Sequence, residues 1–158
     1  MSKEEIAIDL LQETLERGEE VALSTLTDSM RPLLEPGQIF RVKKVLAQQI
    51  HIGDIVCFEA DQHVIVHRVV KIFQRASERF FIAKGDHVFG LDPPVPAARI
   101  LGRVVQIGDL RLDRPHQSLL AQWTARLFYW HYRGYRAFWK IPAVEFLSPL
   151  KQRRISDR

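Results

Sequence analysis

Between Val21 and Gly108 the chain holds six short runs rich in β-branched and aromatic residues: VALSTLT, QIFRVKKV, GDIVCFEA, HVIVHRVVKIF, RFFIAKGD and RILGRVVQIG. Turn-forming residues, chiefly glycine and proline, punctuate them. Short runs of this composition predict a mainly β fold, a compact antiparallel domain over residues 21–110. Helical patterns flank it. Residues 3–17 read as a helix: Ser2 is placed to cap it with Glu5 three positions on, Ile6, Leu10, Leu11 and Leu15 make a stripe, and Gly18 supplies a stop. This amphipathic helix occupies residues 1–20. The tail, residues 111–158, returns to a helical spacing over 117–141, through Leu120, Trp123, Leu127, Trp130, Gly134 and Phe138, and Pro142 ends the pattern.

Charge divides the chain unequally. Residues 1–110 carry 13 Lys and Arg against 16 Asp and Glu, whereas residues 111–158 carry 10 against 3. A basic tail therefore follows a mildly acidic body. In the tail Arg126, Tyr129, Arg133, Arg136 and Lys140 form a polar stripe beside the apolar one. That pattern suits packing on the β domain with the basic side solvated, lying in a membrane interface, or entering a groove of a partner protein. No recognised nucleic-acid motif accompanies the basic residues, and no nucleic-acid partner is expected.

The N-terminus is acidic and lacks the basic start and apolar core of a secretory signal. The longest run without Asp, Glu, Lys or Arg is the eleven residues between Arg114 and Arg126, well short of the roughly 20 that a spanning helix needs. The expected location is therefore cytoplasmic, with the inner membrane face as an optional contact. A single cysteine, Cys57, excludes an internal disulfide and reads as a small core residue. No metal or cofactor is expected.

Three polar clusters fall at or within these runs. The stretch TDSMRP brings Ser29, VIVHRVV brings His67, and AKGDHVFGLDPPVP brings Asp86 and Asp92. A hydroxyl is a poor nucleophile at neutral pH and needs an adjacent base. The base in turn needs a group that fixes its tautomer. Ser29, His67 and an aspartate supply those residue types in chain order. Each also has a plain structural reading: a turn serine, a half-buried strand histidine, an Asx-turn aspartate at position 86 and a turn-starting aspartate before Pro93.

Read together, DSMRPLLEPGQ, GDIVCFEA, VHRVV, KGDHVFGLDPPV and ILGRVV resemble, in order and interval, the serine peptidases of the signal-peptidase group (S24/S26-like), related to the LexA-like self-cleaving repressors. The resemblance covers residues 21–108. It implies a compact, barrel-like β peptidase domain in which the serine before methionine, Ser29, is the nucleophile. Where many such enzymes carry a lysine base, this chain has His67-Arg68-Val69, similar to the Ser/His type. Asp92 is then the preferred partner of His67, with Asp86 bracing the loop or serving in its place. Thr27, two residues before the nucleophile, matches an oxyanion-stabilising hydroxyl. Lys71 and Lys84 are the outside candidates for a Ser/Lys dyad. The expected substrate is an extended precursor or leader peptide with small residues before the cleaved bond, captured along ALSTLT and VIVHRVV by strand addition. The resemblance also leaves a self-cleaving or non-catalytic peptide-binding module as the alternative. An acidic helix stands where signal peptidases usually carry an apolar anchor, as in anchorless bacterial relatives.

Overall fold

The computed structural model describes residues 3–112, and the tail helix expected over 117–141 lies outside them. The first element is helix α1 (Lys3–Glu16), closed by Gly18 at φ +84°, a conformation that costs glycine little. Eight strands follow among the described residues: β1 (Glu20–Ser24), β2 (Ile39–Lys43), β3 (Ile55–Ala60), β4 (His63–Arg75), β5 (Glu78–Lys84), β6 (Val95–Pro96), β7 (Ile100–Ile107) and β8 (Leu110–Arg111). All pair antiparallel in one sheet, in the order β1-β2-β7-β3-β4-β5-β6, with β8 on β7. The mainly β architecture expected from the sequence is present. Among the described residues the sheet does not close on itself: β1 and β6 stand at opposite ends of the order.

Two strands change partner along their length. Residues 63–68 of β4 pair with β3, and residues 68–75 pair with β5. On β7, the first residues pair with β3 and the later ones with β2 and β8. Register shifts at Arg41/Val42, Cys57/Phe58 and Val69/Lys71 bend the strands and increase local twist, so the sheet curls.

The curl produces two apolar clusters. One gathers Leu15, Met30, Leu34, Phe40, Val42, Ile55, Cys57, Leu101, Val104 and Ile107; the other gathers Ile50, Val56, Phe58, Val69, Phe81, Ala83, Val95 and Ile100. Alternate residues of β3 serve each, because successive side chains of a strand point to opposite faces. Ile55 and Cys57 enter the first cluster, Val56 and Phe58 the second. This explains the unbroken apolar run IVCF: β3 is covered on both sides. Burial pushes the Cys57 thiol far above its usual range, which removes it as a nucleophile.

The structure corrects two local expectations. The strand predicted through Thr27 ends at Ser24, because Thr25 to Gly37 form a loop held by the Gly37 amide donating to the Thr25 carbonyl at 2.7 Å. On α1 the buried face runs through Ile8, Leu11 and Leu15, while Ile6 and Leu10 of the expected stripe stay 49% and 62% exposed. Contact with the sheet selects one of two overlapping helical stripes. No helix among the described residues is long and apolar enough to cross a membrane.

Candidate active site

The loop after β1 explains the Ser-Met pair. Met30 is 1% exposed and belongs to the first apolar cluster, worth about 1.5–3 kcal/mol of burial. The amides of Leu33 and Leu34 both donate to its carbonyl at 3.1 Å, which winds the chain tightly beneath it. Anchoring Met30 inward leaves its neighbour Ser29 partly accessible in the turn above.

His67 sits on β4 opposite Val56, one residue before β5 joins the strand at Arg68. Its Nε2 lies 3.2 Å from Ser29 Oγ, and its Nδ1 lies 2.6 Å from Asp92 Oδ2. The Phe58 ring stands edge-on to the imidazole, with centroids 6.3 Å apart. The histidine and aspartate side chains are 12% and 20% exposed. A short bond from an imidazole N–H to a carboxylate, at this depth, fixes the ring so that Nε2 faces the serine.

Asp92 is delivered by the loop after β5, where its amide donates to the Ala83 carbonyl at 2.9 Å. The same loop grips the serine turn directly: the His87 amide donates to the Ser29 carbonyl at 2.8 Å. Gly85 makes that approach feasible. A Cβ there would stand 2.7 Å from the Ser29 carbonyl oxygen and 3.0 Å from His67 Nε2.

Asp86 does not meet the imidazole. Arg68 holds it with two parallel bonds, Nε to Oδ1 at 2.8 Å and Nη2 to Oδ2 at 2.6 Å, and donates Nη1 to the Gly53 carbonyl at 2.9 Å. The two aspartates thus divide the work: one touches His67, the other ties the loop to β4 and to the turn before β3. Sequence reasoning gave Arg68 no role of its own, although its place beside His67 put it within reach of the KGD turn.

Thr27 Oγ1 lies 3.2 Å from Ser29 Oγ and 3.3 Å from Thr25 Oγ1, so three hydroxyls form a line ending at the serine. The Ser29 amide has no acceptor among the described residues. An amide and a hydroxyl are the donor types that an oxyanion needs.

Of the two lysines considered as bases, Lys71 lies 5.6 Å from the Phe73 ring centroid. Lys84 is buried at the end of β5 and donates to the Gly85 carbonyl at 2.9 Å. Burial pulls its pKa below the usual lysine value, against the opposing attraction of Asp86 and Asp92. The imidazole, not an amine, is what stands against Ser29 Oγ. Among the described residues no group of His, Cys, Asp and Glu is arranged to hold a metal ion.

A hydroxyl, an imidazole and a carboxylate in hydrogen-bonded series can perform acyl transfer. In comparisons with protein-family models and with curated proteins, the chain matches none.

Proposed function

We propose that this chain is a serine endopeptidase that cleaves an extended segment of a precursor or leader peptide by Ser-His-Asp acyl transfer. The observation that carries the reading is the continuous series Ser29 Oγ–His67 Nε2 at 3.2 Å and His67 Nδ1–Asp92 Oδ2 at 2.6 Å. His67 takes the Ser29 proton as the oxygen attacks the scissile carbonyl. The Ser29 amide and the Thr27 hydroxyl receive the oxyanion, and the imidazolium, steadied by Asp92, returns the proton to the leaving amine. A water, activated by the same imidazole, then releases the acyl product.

Two strand edges that have no partner strand among the described residues suit capture of an extended substrate. Among the described residues, strand β1 pairs only with β2, and residues 63–67 of β4 pair only with β3. Main-chain bonds along such edges give affinity with little demand on sequence.

The test is incubation of the purified chain with a fluorophosphonate probe and with a library of peptides carrying small residues before the cleavable bond. Labelling at Ser29 together with peptide processing is expected. Absence of both would overturn the reading, clipping of the chain alone would favour a self-cleaving module, and peptide binding without cleavage would favour a non-catalytic one.

Two further variants report on the machinery. Thr27→Val should raise the barrier by about 2.7–4 kcal/mol if the hydroxyl serves the oxyanion, read as a fall in kcat with KM little changed. Gly85→Ala forces its new methyl against the Ser29 carbonyl and the imidazole. A displacement near 1 Å is enough to lower kcat/KM about 10²-fold, with circular dichroism showing the sheet intact.

A further inference from the structure

The outer face of α1 has no cover among the described residues. Ile6 and Leu10, one turn apart, are 49% and 62% exposed although both are large and apolar. The helix is acidic in composition, its fourteen residues carrying Glu4, Glu5, Asp9, Glu13 and Glu16 against Lys3, while Arg17 just beyond its end bonds Glu13 at 2.6 Å. An apolar pair in an acidic frame is complementary to a segment with an apolar stripe bordered by arginine and lysine.

Such a segment exists in this chain. Residues 117–141 pair the stripe Leu120, Trp123, Leu127 and Trp130 with Arg126, Arg133, Arg136 and Lys140, within a tail that carries 10 basic and 3 acidic residues from position 111 onward. The described chain also ends in the right place. Arg111 Nη2 bonds Glu20 Oε1 at 3.2 Å, and Glu20 opens the strand that directly follows α1. Leu112 packs on the same apolar cluster as Leu11 and Leu15 of α1. The described chain therefore ends on the apolar cluster that α1 also joins.

Length is sufficient. At about 1.5 Å per residue α1 is roughly 21 Å long, and twenty-five residues in helical form extend about 37 Å. A tethered segment meets this face at a far higher effective concentration than a free partner does.

We infer that the outer face of α1, centred on Ile6 and Leu10, is the docking surface for the chain's own basic amphipathic segment, residues 117–141. The segment lays its Trp/Leu stripe on the two apolar side chains and its guanidinium groups among the helix carboxylates.

The sequence provides a reporter. All three tryptophans, Trp123, Trp130 and Trp139, lie in the tail, so tryptophan emission of the full chain reads that segment alone. Docking predicts blue-shifted emission with weak acrylamide quenching. The double variant Ile6→Gln/Leu10→Gln keeps good helix formers at exposed positions and should shift emission to the red and raise quenching toward the urea-unfolded value. Asp9→Lys, which reverses one carboxylate of the frame, should act in the same direction and more strongly at low salt than at high salt. Far-UV circular dichroism checks that α1 and the sheet survive in each.

Emission and quenching unchanged in both variants would overturn the inference. So would protected emission that appears only on adding phosphatidylcholine/phosphatidylglycerol vesicles, which assigns the segment to lipid. Protection that depends on protein concentration and accompanies a dimer mass by light scattering would overturn it in favour of a second copy.

Discussion

Ser29→Ala is expected to abolish fluorophosphonate labelling and to lower peptide turnover by about 10⁶-fold, the scale on which removal of a triad nucleophile acts. The side chain is half-buried in a turn whose position is set by Met30, by the His87 amide on its own carbonyl and by the close approach of Gly85. None of these contacts uses the hydroxyl. Loss of one oxygen should therefore leave the fold and peptide binding intact, and thermal unfolding should match wild type. Retained turnover in Ser29→Ala would remove the acyl-enzyme route altogether.

Asp92→Asn is the second large effect and separates the two aspartates. An asparagine amide keeps the size of the side chain but cannot accept the Nδ1 proton at both positions the carboxylate offers. It also gives no negative charge to the imidazolium that forms during attack. A fall in kcat of about 10⁴-fold is expected, because the imidazole settles in the wrong tautomer. Asp86→Asn acts elsewhere. It weakens a bidentate pair with Arg68, 2.8 and 2.6 Å in its two bonds, and loosens the loop that carries Asp92 without altering the imidazole's own partner. Its activity loss should be much smaller and its thermal midpoint lower than that of Asp92→Asn. Reversal of that order, by kinetics and calorimetry on the same preparations, would assign the orienting role to Asp86.

These assignments were legible in the sequence to different degrees. The β architecture followed from composition, since strands covered on both faces, as β3 is, read as unbroken apolar runs such as IVCF. Ser29, His67 and Asp92 could be nominated by residue type and by ordered motifs, yet only folding brings together side chains 38 and 25 positions apart. What the sequence hid was set by tertiary contact. Arg68 finds Asp86 eighteen positions away, and Gly85 owes its significance to a serine turn on a distant loop. On α1, Ile8 and Ile6 lie on neighbouring stripes with similar helical spacing, and the underlying sheet chose the former. Strands β6 and β8, two residues each, are too short to leave any periodic trace.

The link between Ser29 and Met30 has a consequence for how the molecule lives before it is fully folded. Since the neighbour of Ser29 is a core residue, the alcohol is aimed only once the hydrophobic interior has condensed around that methionine. A nascent or partly opened copy holds Ser29, His67 and Asp92 on unconnected segments, so the hydrogen-bonded series on which the proposed function depends is absent from it. Under the proposed function, activity is thereby coupled to completed assembly, a safeguard that would spare the chain and its neighbours during synthesis.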